Sequence, residues 1–339
     1  GAPAGTKGLS LFLVPKFHVD TSGNIGAAND ISVVSIEHKL GLHASPTCVL
    51  SFGDNDACIG ELVGHLHGGM RAMFTMMNNA RLNVGLQGVQ VSEAATRKAA
   101  SYAAGRVQGS RERISTAIID HPDVRRMLMR MKAQTLAARS IVYYAAGLVD
   151  SASGGDPQAK ARLDLIIPLA KAHSTDIGCE TASLGVQVHG GMGYIEETGA
   201  ARLYRDARIF PIYEGTNGIQ AADLIVRKLP SDNGLTFGKL IEDMRRDAEH
   251  PHLVDLVHLC EQIGRKLISK SADEGLTGSY PFLTILATAV CGWLLQRLSA
   301  ASDNECLRSV RVVSKFYLDC ILPEAFGEQY SALYHFDES

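Results

Sequence analysis

With 339 residues, 46% of them apolar and 20% charged, the chain has an ordinary globular balance and room for two or more domains with a sizeable core. A formal net charge of −3 gives no bulk electrostatic reason to bind nucleic acid. Seven cysteines, an odd number with no CxxC pair, signal neither a disulfide framework nor a zinc site and fit a reducing, cytoplasmic setting.

The chain begins at Gly1, without an initiator methionine, just ahead of a strand pattern, and it is expected to be a fragment or processed product with something upstream. Residues 8–17 are short, apolar and β-like, and further strands are expected at 31–36 and 48–52, between Gly, Asn and Pro turns. So few strands make a poor sheet alone and read as the end of a β-domain. From about Gly68 the period becomes helical: Met70, Phe74, Met77, Arg81, Val84, Gly88, Val91 and Ala95 alternate spacings of four and three, a bundle seam. Arg81 on that stripe must be paired, either as a structural ion pair or as a site residue. After a break at 106–113 a second seam runs from Val124 to Val149, and after a turn at 151–157 a third runs from Leu163 to Val188. Pro168 in the third is expected to start or kink its helix. With a short run after Thr216, these make a four-helix bundle. Residues 229–235 read as a linker, followed by helical runs at about 236–271, 281–300, 305–320 and 323–334. The apolar run 283–295 is too short to span a bilayer and reads as a buried helix.

The chemistry is expected in residues 187–220, QVHGGMGYIEETGAARLYRDARIFPIYEGTNGIQ. Its Gly190-Gly191-Met192-Gly193 loop follows a helix, so it is neither a dinucleotide fingerprint nor a P-loop; the bland reading is a turn, the other a loop whose backbone a ligand can approach, with Gln187 adding an amide. Glu214 sits on a tight turn between Tyr213 and Gly215. Either it is a charge favoured near the next helix N-terminus, or it is a carboxylate in an apolar setting, with the raised pKa a general base needs. Thr216 or Asn217 is placed to cap the helix that follows. His121 and His189 are isolated and read as structural, and no Ser-His-Asp spacing or metal-ligand cluster stands out.

QVHGGMGY followed by LYRDARIFPIYEGTNGIQ resembles the signature of flavin-dependent acyl-CoA dehydrogenases, over residues 1–229. The fold this implies is mainly α: the end of a middle β-domain (1–62), a C-terminal-type four-helix bundle with the catalytic base (63–229) and an additional helical domain (230–339). The resemblance implies FAD as cofactor and Glu214 as the base removing the α-proton of an acyl-CoA. Arg106 and Gln108 match the segment that reaches the FAD pyrophosphate of a neighbouring subunit. Gln187, Val188, His189, Gly190 and Gly191 match the loop holding its adenosine portion, and Thr216 and Asn217 lie on the flavin side. Asn78, Arg81, Tyr213 and Gly215 fall on the substrate side, Arg81 near the thioester. Implied partners are an electron-transferring flavoprotein and further copies in a homodimer or tetramer, in fatty acid metabolism. The chain departs from the family's habit in Arg106-Val107-Gln108-Gly109, which lacks the Phe between Gln108 and Gly109, in His121-Pro122 for His-Gln, and in Thr216-Asn217-Gly218 for Thr-Ser-Gln. Because the ring-binding half of such an enzyme lies upstream, this chain alone is expected to be inactive and to hold FAD weakly or not at all. Two other readings share the fold: an oxygen-using acyl-CoA oxidase, and a DNA-alkylation-response relative, which would want a basic face.

Overall fold

The structure, a computed structural model, describes residues 1–111, 114–301 and 308–334. Contacts divide the chain into two compact units, Gly1–Ala80 and Arg81–Ser339.

In the first unit, six short strands, β1 (Leu11–Leu13), β2 (Phe17–Val19), β3 (Ile25–Ala28), β4 (Ile31–Ile36), β5 (Cys48–Phe52) and β6 (Glu61–Val63), form three antiparallel pairs, β1–β6, β2–β3 and β4–β5. The strands at 31–36 and 48–52 fall where the alternation places them. The expected strand at 8–17 is two strands instead, broken before Pro15, which has no N–H to offer a ladder. Buried Asn29 fastens the loops: its amide donates to the Pro15 and Ile59 carbonyls, at 2.8 Å each, and its side-chain oxygen accepts from the Ile59 N–H at 3.0 Å.

Helix α1 (Gly69–Gly105) runs through the boundary between the units. In its second part the seam is buried at Val84, Val91 and Ala95. Gly88 completes it, because a Cβ there would lie 2.3 Å from the Ser174 carbonyl oxygen on helix α3 (Pro157–His189); only glycine lets the two backbones approach so closely. The break after α1 is a β-hairpin, β7 (Val107–Arg111) with β8 (Ile114–Ala117). It ends at helix α2 (Pro122–Ser153), whose first turn carries Pro122, a residue suited to a position with no N–H partner. The His121 ring meets the Gln108 carbonyl at 2.7 Å and pins the hairpin to α2, a structural role.

Asp156 caps α3 by accepting from the Gln158 and Ala159 N–H groups, at 2.8 and 3.1 Å. Pro168 neither starts nor ends this helix, which continues across it. Buried Leu165, Ile166, Leu169 and Ala170 hold the helix where proline removes one hydrogen bond. Beyond α3 come α4 (Ala200–Ala207) and α5 (Asn217–Asp223), the latter continuing into a π-helical turn at Leu224–Lys228.

Residues 229–234 turn the chain into α6 (Leu235–Asp247), α7 (Pro251–Ile268), α8 (Ala272–Thr277), α9 (Ser279–Ala300), α10 (Arg308–Phe316) and, after a π and a 3-10 stretch, α11 (Gln329–Leu333). The run expected at 236–271 is thus two helices, parted where Pro251 opens α7. Of the run expected at 305–320, residues 305–307 lie outside the described residues. These C-terminal helices share one continuous core with the bundle, extending from Val89 to Ala332, so no gap in packing marks residue 229. Helix α9 is the axis of that core. By length and composition it could cross a membrane, yet most of it is buried, with Phe282, Leu286 and Trp293 each at most 2% exposed. Trp293 donates to Asp247 at 2.9 Å and meets the Tyr144 ring of α2 edge-on at 5.7 Å. Arg130 on α2 joins Glu180 of α3 and grips Glu324 with two bonds, at 2.6 and 2.8 Å.

Candidate active site

The turn between α4 and α5 is a constrained stretch of the helical unit. Glu214 and Gly215 follow one another in the left-handed region, at φ 55° and 86°. For a non-glycine residue that conformation costs on the order of 1–3 kcal/mol and persists only where surrounding structure imposes it. At Gly215 the left-handed φ favours glycine, and a Cβ there would also press on the end of the Gln220 side chain. Thr216 then caps α5 by accepting from the Ile219 N–H at 3.2 Å. The reversal lifts the Glu214 side chain off the bundle and leaves it exposed, not in the apolar setting that Ile212 and Tyr213 suggest.

What imposes the turn lies beneath it. Lys171 of α3 is fully buried, and its ammonium donates to the Gly215 carbonyl at 2.8 Å and to Asn217 Oδ1 at 2.9 Å. Burial, with the nearby Arg81 charge, pushes its pKa down to about 8 against the opposing pull of Asp176 and Glu214. The Asn217 amide donates to Asp176 at 2.9 Å, to Thr175 at 3.0 Å and to the Ala172 carbonyl at 3.1 Å. Asp176 accepts a second bond, at 2.6 Å, from the Tyr280 hydroxyl of α9, and burial raises the carboxyl's pKa. Arg81 is 3% exposed and pairs with buried Asp223 at 3.3 Å, and Asp223 also takes Arg227 at 2.5 Å. Two buried atoms near the turn, Arg81 Nε and Gln220 Oε1, have no partner. The Tyr213 hydroxyl bonds Gln87 of α1, and desolvation, with the Glu214 charge, raises its pKa.

A second cluster forms where α1 and α3 end. The Tyr102 and His189 rings stack at 4.4 Å, and His189 Nδ1 meets the Gly185 carbonyl at 2.7 Å. Arg106, Gln108, Gln187, Gly190 and Gly191 are exposed nearby in the chain, while Val188 and His189 are buried.

The structure therefore brings together Arg81, Tyr213, Glu214, Gly215, Thr216 and Asn217, and sets the end of α3 apart. Eighteen residues separate Lys171 from His189, about 27 Å of helix at the usual rise. Asn78 falls in the first unit, on the opening turns of α1. Asn217, Val188 and His189, placed on the cofactor side by resemblance, turn their side chains inward. Asn217 is engaged by three acceptors and the other two pack into the bundle. Sequence reasoning missed Lys171, Asp176, Gln220, Asp223 and Tyr280. For Lys171 a signal existed, since it follows Ile167 by four and precedes Ser174 by three on the third seam, the same reasoning that singles out Arg81. Nothing local marks Tyr280, which arrives from over a hundred residues away.

Residues 67–229 match the family model described as acyl-CoA dehydrogenase, C-terminal domain. The chain is similar to 3-methylmercaptopropionyl-CoA dehydrogenase of Ruegeria pomeroyi, 40% identical over 333 residues, covering 90% of this chain and 55% of that protein. Its fold is similar to that of Caenorhabditis elegans ACDH-11 in complex with C11-CoA, with a TM-score of 0.77 and 24% identity, over 98% of this chain and 58% of that one. An acyl-CoA dehydrogenase from Bacillus anthracis complexed with FAD gives a TM-score of 0.73 at 24% identity, covering 90% and 56%. The chain spans about half the length of the curated relatives it matches.

Proposed function

The chain belongs to the acyl-CoA dehydrogenase family, and from that premise we propose that the full-length protein converts an acyl-CoA thioester to its 2-enoyl-CoA with Glu214 as base. The observation that carries this reading is the strained, scaffold-held turn: it presents an exposed carboxylate next to a backbone held by the buried cation Lys171, with buried Arg81 beside it. Strained backbone concentrates where geometry serves chemistry.

In this account Glu214 takes the proton from the carbon next to the thioester. By the family resemblance Gly215 lies against the acyl chain, with Arg81 and Tyr213 on the substrate side. FAD, when bound, supplies the acceptor for the hydride leaving the β-carbon. The exposed donors at the end of α3 suit its charge and its backbone-reading needs: the Arg106 guanidinium for a pyrophosphate, the Gly190–Gly191 backbone for close approach. By the family resemblance that cluster serves the flavin of a second copy, which calls for a homodimer or tetramer with a two-fold interface between bundles. Thr216 borders the chain's own flavin. Asn217 acts from below, holding the turn. The electrons pass to an electron-transferring flavoprotein. The strands at 1–62 are the end of a larger β-domain, in keeping with their exposed apolar faces, and 230–339 is an added helical domain whose core has merged with the bundle.

Mixing the full-length flavoprotein anaerobically with straight and branched acyl-CoAs of several lengths tests the reading. At least one should bleach the flavin, and a protein acceptor, not air, should restore it quickly. Bleaching by none would end the proposal, and rapid recovery in air would make the protein an oxidase.

A further inference from the structure

We propose that Lys171 is a positioning residue for the Glu214 turn and that helix α9 controls it through Tyr280, Asp176 and Asn217. The inference rests on the reading of Glu214 as base, and its geometry is a single unbroken relay. The Tyr280 hydroxyl donates to Asp176 Oδ2 at 2.6 Å, and Asp176 Oδ1 accepts from the Asn217 amide at 2.9 Å. Asn217 Oδ1 accepts from Lys171 at 2.9 Å, and Lys171 donates to the Gly215 carbonyl at 2.8 Å.

Three features make this more than a packed ion cluster. The relay ends on a backbone carbonyl, that of Gly215, so its length sets where the strained peptide sits rather than merely neutralising charge. Each inner member is otherwise costly to bury: Lys171 is fully enclosed, Asn217 is 3% exposed, and groups of this kind are buried only when their hydrogen bonds are complete. A network in which every member depends on the next has two outcomes, complete or broken, and few between. Finally, α9 is not held here by close packing alone. Beside Asp176, between α3 and α9, lies a polar cavity of about 220 Å³ lined by Gln134, His173, Glu180, Thr284 and Thr288. Gln134 Oε1 and His173 Nε2 face inward there without protein partners. Where α9 borders a polar cavity it is not locked by interdigitated apolar side chains, and Tyr280 converts a change in its position there into a change at the turn. The helices beyond residue 229, which contribute no residue to the turn itself, thereby gain a hold on the reaction.

The test uses the full-length holoenzyme with Tyr280→Phe, which removes one hydroxyl from a partly exposed side chain, and Lys171→Met, the harsher change. Hydrogen exchange is read by mass spectrometry on the peptide spanning 209–220, with α7 as internal reference. Tyr280→Phe should raise exchange in that peptide by about threefold to tenfold, and Lys171→Met by about tenfold or more, with α7 unchanged. In single turnover, Tyr280→Phe should slow flavin reduction by about threefold to tenfold while acyl-CoA affinity changes less than about twofold, the mark of an interaction needed at the transition state. Arg297→Gln, at the exposed far end of α9 and in neither the relay nor the cavity lining, should leave both readouts unchanged. Exchange at 209–220 that stays at the wild-type level in Tyr280→Phe and Lys171→Met would overturn the proposal, as would an equal response to Arg297→Gln. The exchange result judges the relay whatever Glu214→Gln does to flavin reduction, so a failed relay and a misassigned base remain separable.

Discussion

In the strand unit Ile25, Val33 and Ile36 are 75%, 60% and 66% exposed, whereas in the helical unit Leu169, Leu286 and Trp293 are no more than 2% exposed. Both stretches are equally apolar in sequence. The difference is closure. Among the described residues these strands pair only two by two, and a lone pair of strands is marginally stable in water. The helices enclose one continuous core around α9. The lesson is that this chain's folding free energy resides in the helical unit, and so does the strained turn, which only a rigid surround can impose.

The largest effect should come from that core. Trp293→Ala removes a ring packed against Tyr144 and one of the donors to Asp247, and should cost about 3–5 kcal/mol in urea unfolding of the 339-residue chain. A loss below about 1 kcal/mol would mean that α9 is not the axis of the core. An acid limb should follow at intermediate size. Burial holds the His173 pKa down at about 4, below its ordinary 6.5, so the folded imidazole stays neutral while the unfolded one takes a proton. Its contribution is complete above pH 6.5 and fades as the pH falls toward 4, a change on the order of 3 kcal/mol. His173→Gln should flatten that part of the stability profile, and an unaltered profile would contradict the buried neutral state. The smallest effect belongs to the strands: Ile36→Ala should shift stability by less than about 0.5 kcal/mol, because the side chain is already in water. A cost matching that of Trp293→Ala would erase the contrast between the units.

Much of this architecture was legible in the sequence because long helices advertise themselves by period. The seams through Met70–Ala95, Val124–Val149 and Leu163–Val188 lie within α1, α2 and α3, although Phe74 on the first is exposed. Strands at 31–36 and 48–52 were equally plain. The hairpin after α1 was not, because Gly109 and the run of arginines obscured the alternation of Val107, Ile114 and Thr116. Nor could periodicity show that residues after 229 share the bundle's core, since packing between helices is a property of faces far apart in sequence. At the site, Arg81 and Glu214 stood out as charges in apolar company. Their support did not: Asp223, Gln220 and Tyr280 acquire meaning only when α1, α3, α5 and α9 are brought together.

The most direct test of the account is flavin reduction by acyl-CoA in the Glu214→Gln variant of the full-length enzyme, followed by rapid mixing. The amide keeps the shape of the side chain and loses its basicity. The account predicts a fall of about 10²–10⁴-fold or more in the reduction rate, with flavin content and acyl-CoA affinity near wild type. Reduction within about threefold of wild type, accompanied only by a small change in melting temperature, would show that Glu214 is a helix-end charge worth about 0.3–1 kcal/mol and not the base.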